Sequence, residues 1–289
     1  MAHANNGNTY NSIPRINSEA LTAKITESQK LQTHRTYRNA SQQFYVEGVR
    51  NFIRVIDNKF DVSTIIYSEK LLTSAIARML VRRSRRAGIS CLKVTPEQFR
   101  YISHTEKASG VGAIVDQPWT KLNDLSLEKG ICWIVLETVR SSGNLGTLIR
   151  TSEAFGGGGF ILLGNSIDPF DPNVVRASMG SIYNQKFIRT GYSKLHKWLQ
   201  SHNSTVIGAS PDGAIDFHRF DYPSQTLIFL GEERQGLTQQ QRDLCQHLVR
   251  IPIAPTVDSL NLGIAGSLIV YEVYRKHNLV TDSTLDPST

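Results

Sequence analysis

The chain has 289 residues, 40% apolar and 20% charged, the proportions of an ordinary globular protein with room for two domains. Its formal net charge of +7 and pI near 9.3 favour a polyanionic partner, through electrostatic steering and counterion release. No apolar run is long enough to span a bilayer, and the first residues carry neither a secretion nor an import signal. Cys91, Cys132 and Cys245 are far apart and form no CxxC pair, so free thiols in a reducing cytoplasm are expected, with no membrane and no metal.

Residues 1–19, polar and rich in Asn and Ser, are expected to form a disordered tail, and residues 281–289 a C-terminal tail. From 20 to 117 helix and strand alternate: a strand at 44–46, a short helix at 49–56, a strand at 62–67, a helix at 70–86, and strands at 91–94 and 112–115. In the helix at 70–86, Leu72, Ala75, Ile76, Met79 and Leu80 recur at helical spacing, and Arg78, Arg82, Arg85 and Arg86 share one face. Lys30, His34, Arg35, Tyr37 and Arg38 make a second basic cluster. Arg35, Arg38, Arg82, Arg85 and Arg86 are therefore the candidates for contact with a polyanion, against the alternative of a solvated, ion-paired surface. Residues 118–129 are polar and read as a linker.

The second domain, 130–280, opens on Ile131-Cys132-Trp133-Ile134-Val135-Leu136, apolar on both faces as a parallel strand covered by helices should be. Further strands are expected at 160–163, 185–188, 205–209, 226–230 and 247–251, and helices at 146–155, 172–179, 192–202, 238–244 and 259–274. This alternation predicts an α/β domain with a mostly parallel sheet. Gly156 to Gly159 read as a helix stop and turn, with a phosphate cradle as the second reading.

Three segments stand where chemistry is expected, beyond the carboxyl ends of strands. The first is Asn144-Leu145-Gly146-Thr147-Leu148-Ile149-Arg150. It follows Ser141-Ser142-Gly143, where free helix-start amides would favour an anion such as an RNA phosphate. Arg150, about one and a half turns on, is expected to point its fork of donors back to the same region. Read alone, Asn144 would be a turn residue and Arg150 a surface charge. The second segment is Leu230-Gly231-Glu232-Glu233-Arg234-Gln235-Gly236-Leu237: Gly231 allows close backbone approach, Gly236 allows unusual dihedrals, and Glu233 could accept from backbone amides or from Arg150. The third is Ile251-Pro252-Ile253 followed by Ser259-Leu260-Asn261, which begins the last helix with Asp258 or Ser259 as its N-cap.

In this order the segments resemble the signature motifs of the SpoU (TrmH-type) RNA ribose methyltransferases of the SPOUT superfamily, over roughly residues 20–278. The N-terminal part is similar to that family's substrate-binding domain through Phe44-Tyr45-Val46-Glu47-Gly48 and His104-Thr105-Glu106 before Gly110-Val111. The resemblance implies a C-terminal sheet with a trefoil knot behind a small α/β substrate-binding domain, and a homodimer using the last helix. It implies S-adenosylmethionine held by Ala209, Leu230, Gly231, Gly236, Ile251, Ile253, Ser259 and Leu260, and catalysis by Asn144, Arg150, Glu233, Ser259 and Asn261. Two departures stand out: Ser141-Ser142-Gly143 replaces the usual Asp-Pro-Gly, and residues 254–257 lack the glycine often found before the serine.

The implied activity is 2′-O-methylation of a ribose, in ribosomal RNA sooner than in transfer RNA because of the extra N-terminal domain. Arg150 could serve as base, but a guanidinium that stays charged favours a phosphate clamp and electrostatic stabiliser. The alternative is an RNA-binding protein that keeps the fold without catalysis, against which Asn144, Arg150, Ser259 and Asn261 are all present. A Rossmann oxidoreductase is excluded, since no G-x-G-x-x-G follows an early strand.

Overall fold

The computed structural model describes residues 18–279; both expected tails lie outside them, save that Ser18 and Glu19 open the first helix. The first part runs α1 (Ser18–Thr33), α2 (Arg35–Ser41), β1 (Gln43–Glu47), α3 (Val49–Asp57), β2 (Val62–Tyr67), α4 (Ala75–Arg86), β3 (Ser90–Lys93), α5 (Pro96–Ile102) and β4 (Val111–Asp116). Its sheet has the order β1-β4-β2-β3, antiparallel except for the β2–β3 pair. Helix α1 is mostly polar and holds on by one edge, with Ile25 and Leu31 buried in a cluster with Tyr45, Phe99 and Ile114. Helix α5 starts in a capping box, in which Thr95 and Gln98 satisfy each other's backbone amides and Pro96 fills the first turn. The helix expected over 70–86 begins only at Ala75. Ser74 caps it by accepting the Ala77 amide, while the Ser68 carbonyl takes the amides of Leu71 and Leu72 into a separate turn.

The second part runs β5 (Trp119–Thr120), β6 (Trp133–Leu136), α6 (Ser142–Ala154), β7 (Gly159–Leu163), α7 (Pro172–Ala177), β8 (Phe187–Thr190), α8 (Tyr192–Ser201), β9 (Thr205–Ala209), β10 (Ile215–Asp216), β11 (Thr226–Leu230), α9 (Gln239–Leu244), β12 (His247–Arg250) and α10 (Leu262–Leu279). These strands form one sheet in the order β10-β12-β9-β11-β6-β7-β8-β5, and every pair is parallel. Both faces are buried, as the apolar strands require. Trp133, Val135, Ile161, Leu227 and Phe229 face α8, while Cys132, Ile134, Leu136, Phe160 and Ile228 face α6 and α10. Burial pushes the thiols of Cys132 and Cys245 up to about 12, so both are poor nucleophiles.

Residues 118–129, expected as a polar linker, are built into this sheet. Trp119 and Thr120 pair with Phe187 and Ile188, and Leu125 and Leu127 are buried in the core under α8. The two parts also share a core: the Phe170 ring lies 4.8 Å from Phe44, 5.2 Å from Trp119 and 5.8 Å from Phe187. The feature that positions a site is the strand order itself. From β6 the chain steps outward to β7 and β8, then returns to build β9 and β11 on the other side of β6. The loops after β6 and β11, neighbours in the sheet, thus part at a topological switch point, where open α/β sheets leave a crevice.

Candidate active site

Helix α6 begins at Ser142, four residues before its expected start, so Asn144 sits in the first helical turn and not in a loop. Ser141 precedes the helix in extended conformation, and its side chain makes no capping hydrogen bond. After β11 the chain folds back at once. The Glu232 amide donates to the Gly236 carbonyl (3.1 Å) and the Gly236 amide returns to Glu232 (2.9 Å). Gly236 has φ +66°, a left-handed conformation that a side chain would strain, and a Cβ on Gly231 would stand 2.2 Å from the Gly236 carbonyl carbon. The two glycines are therefore demanded by the turn itself. The Glu232 carboxylate accepts the amides of Gln235 (2.8 Å) and Arg234 (3.2 Å) and pairs with Arg140. The Gln235 amide first, then Arg140, hold its carboxyl below the usual range. The turn is thus firm at neutral pH and loosens only as acid protonates this group.

Glu233 faces the other way. Its carboxylate accepts the Arg140 amide at 3.2 Å and the Asn144 side-chain amide at 2.9 Å. Asn144 in turn accepts from the Asn261 side-chain amide at 2.9 Å. Asn261 uses its own carbonyl oxygen to cap α10, accepting the amides of Gly263 (2.9 Å) and Ile264 (3.3 Å). The last helix is therefore capped by Asn261 and not by Asp258 or Ser259, which lie in the exposed loop before it. A polar chain Asn261–Asn144–Glu233–Arg140 joins all three segments.

Beside this chain lies a cavity of about 690 Å³. Ala209, Leu230, Gly231, Gly236, Ile251, Ile253, Ser259 and Leu260 all line it, together with Glu233. They come from the ends of β9, β11 and β12 and from the loop before α10. The rim holds two further ion pairs, Arg242–Asp212 at 3.0 Å and Arg250–Asp216 at 2.8 Å. Among the described residues, no group of three or more His, Cys, Asp or Glu is placed to hold a metal ion.

Arg150 is not where its expected role puts it. It is exposed on α6, does not line the cavity and makes no contact with Glu233. Six residues along a helix correspond to about 9 Å of rise and a rotation that leaves Arg150 about 120° away from Asn144. Arg140 and Glu232 are participants that the sequence does not announce. Arg140 has no motif of its own, and only the folded turn distinguishes Glu232 from its neighbour Glu233.

The two basic clusters divide. Arg38 is 2% exposed and ion-paired to Asp168 at 2.8 Å and to Asp171 at 3.1 Å, so it is withdrawn from RNA contact. Arg35 commits its guanidinium to the carbonyls of Asn165, Ser166 and Ile167, and it too is corrected to a structural donor. On α4, Arg85 donates to the Tyr67 hydroxyl and lies over that ring, while Arg78 donates to the Leu72 carbonyl (2.6 Å). Arg82, Arg83 and Arg86 remain exposed and, among the described residues, without an ion-pair partner.

Residues 132–271 match the SpoU rRNA Methylase family, and residues 22–113 match the MRM3-like substrate binding domain. The chain belongs to the SpoU family. Among SpoU relatives, the 23S rRNA (uridine(2479)-2′-O)-methyltransferase of Streptomyces viridochromogenes is 28% identical over 261 residues, which are 88% of this chain and 90% of that one. An AdoMet-bound rRNA methyltransferase from Sinorhizobium meliloti superposes with a TM-score of 0.81 at 28% identity, covering 89% of this chain and 96% of its own. The SpoU methyltransferase AviRb from Streptomyces viridochromogenes, in complex with AdoMet, gives 0.81 at 27% identity, covering 88% and 98%.

The polar chain across the SpoU motifs makes its members interdependent. In a double-mutant cycle of Asn144→Ala and Glu233→Ala, urea unfolding should show a coupling of at least about 0.5 kcal/mol, as expected for contacting partners. Strict additivity would mean that the two side chains act separately.

Proposed function

We propose that this chain is an S-adenosylmethionine-dependent RNA methyltransferase that methylates a ribose 2′-oxygen, in ribosomal RNA before transfer RNA. The observation that carries the reading is the meeting of three SpoU motif segments at one cleft, tied together by the Asn261–Asn144–Glu233 chain. The residues present fit the cofactor. The cavity is in the range of small-molecule sites, and Leu230, Ile251 and Leu262 supply apolar walls for an adenosine. Gly231, Ile251 and Leu260, which line the cavity, are proposed to contact the cofactor chiefly through backbone, since their side chains cannot read adenine. Glu233 and Asp258 line the cavity and, among the described residues, pair with no basic side chain, which suits a cationic sulfonium and ammonium. When bound, the cofactor supplies a methyl carbon already activated for in-line attack, so the protein's contribution is chiefly positioning.

Arg150 and the uncapped start of α6 suit RNA phosphate: one offers a fork of donors free of any ion pair among the described residues, the other a set of helix-start amides. Arg150 is a poor base while charged, and it stands off the cavity, so its proposed role is to clamp an RNA phosphate beside the cleft. The proposed assembly is a homodimer. Ile264, Leu268 and Tyr271 follow one stripe of α10 and stay 50%, 38% and 43% exposed, an apolar face that a second copy would cover. The family's trefoil knot belongs to the same reading. The proposed setting is the cytoplasm; among the described residues, no helix is long and apolar enough to cross a membrane.

The test of the function is transfer of tritiated methyl to ribosomal and transfer RNA, with 2′-O-methyl sites mapped in cells with and without the gene. Methyl appearing on a ribose of ribosomal RNA is expected. RNA binding with no transfer would leave a non-catalytic binder. Arg150→Ala should keep cofactor affinity within about twofold in calorimetry while transfer falls about 10²–10³-fold, and Arg150→Lys should restore only part of it. Wild-type rates in Arg150→Ala would remove this residue from the reaction.

On α4, replacing Arg82, Arg83 and Arg86 together by Gln should weaken RNA binding and flatten its salt dependence by about two to three units, with cofactor binding unchanged. An unaltered salt slope would move the RNA contact elsewhere. For the dimer, Leu268→Asp should sediment as a monomer at concentrations where the unaltered chain is dimeric; a dimeric variant would place the interface off this stripe.

A further inference from the structure

The junction between the two sheets is held by a buried charge cluster. Arg38, on α2, sends Nε and Nη2 to Asp168 Oδ2 at 2.9 and 2.8 Å, Nη2 also to Asp171 at 3.1 Å, and Nη1 to the Leu31 carbonyl at 2.8 Å. Both aspartates are already employed in shaping the loop after β7. Asp168 accepts the Phe170 amide at 3.0 Å, and Asp171 caps α7 through the Asn173 amide at 2.9 Å. Arg35, one turn earlier, grips the carbonyls of residues 165–167. Ser166 donates in turn to the carbonyl of Glu137, three residues before Arg140 of the polar chain at the cleft. Aromatic contacts also join the two parts: Phe44 with Phe170 (4.8 Å), and Phe60 with Tyr183 (5.4 Å, edge-on).

Burying such a pair is a poor route to stability. Well-packed apolar side chains of similar volume hold an interface as well or better, because ions must be stripped of water. What the ions add is direction. A guanidinium clasping two carboxylates that are themselves fixed by backbone amides admits one orientation, whereas apolar surfaces allow sliding.

We infer that Arg38 is a positioning residue for methyl transfer: it locks the substrate-binding part onto the catalytic part in one orientation, so that RNA held on the first presents its ribose to the cleft of the second. The inference rests on the proposed function. Misplacement of a reacting group by about 1 Å can cost on the order of a hundredfold in rate. RNA attached at two places also loses effective concentration when the span between them is slack.

The experiment compares the full chain with Arg38→Met/Asp168→Asn, which removes the charges of this pair at nearly unchanged volume and keeps an oxygen for the Phe170 amide, and with Arg38→Lys, which keeps the charge and loses the fork. Both variants should bind S-adenosylmethionine with unchanged Kd, while kcat/KM for ribosomal RNA falls about tenfold in the first and less in the second. Hydrogen exchange should quicken at residues 31–38 and 165–171 and stay unchanged in the central strands. A folded double variant with unaltered kcat/KM overturns the inference. Should that variant not fold, an unaltered kcat/KM in Arg38→Lys does the same. Exchange needs no activity: unchanged protection at the junction sinks the role of Arg38, whereas a wild-type chain that methylates no RNA counts against the proposed reaction instead.

Discussion

Everything at the site depends on one carboxylate at a strand end. Glu233 emerges from β11 beside the loop of its neighbour β6, where the sheet's strand order reverses and leaves a crevice. It is partly buried there, and such a carboxylate is costly to leave without donors. The Arg140 amide and the Asn144 side chain supply them, which pulls the start of α6 against the β11 turn. Asn144 then has one oxygen left, and Asn261 fills it while capping α10. Three loops far apart in sequence are thereby fixed by a handful of hydrogen bonds. The cavity is the space they enclose together with the ends of β9 and β12.

The same logic recurs at the junction of the two sheets. The protein puts its most buried arginine not on a nucleic-acid surface but between two aspartates of the other part. It leaves three neighbouring arginines of α4 in water. A basic chain therefore sorts its cations into two groups. Some hold the architecture together, and others remain available to a polyanion at little desolvation cost.

How much of this the sequence displays differs from element to element. Strands β6, β9 and β11 are legible because burial on both faces leaves an uninterrupted apolar run, a purely local signal. The lining of the cavity is legible through motif resemblance, and its residues do converge. Helix α1 is not legible, because it is polar along most of its length and its two anchors belong to a cluster built by distant strands. The stretch 118–129 passes for a linker for the same reason: Trp119 and Leu125 look isolated until β8 and α8 arrive to cover them. Arg38 is the sharpest divergence. Its partner stands 130 residues away, and a string of Lys, Arg and Tyr looks the same whether it faces water or a buried aspartate. Asn261 reads as a residue of the chemistry alone, yet its carbonyl oxygen also caps a helix, a double duty that no spacing reveals.

In the proposed function the three motif segments form one cofactor pocket closed by the Asn261–Asn144–Glu233 chain. A crystal structure of the full chain with S-adenosylhomocysteine tests it most directly. The ligand should lie between the Gly231–Gly236 turn, residues 251–253 and residues 259–260, with Asn144 still bonded to both Glu233 and Asn261. Ligand density elsewhere on the sheet, or a pocket that binds only after this polar chain has come apart, would contradict the account.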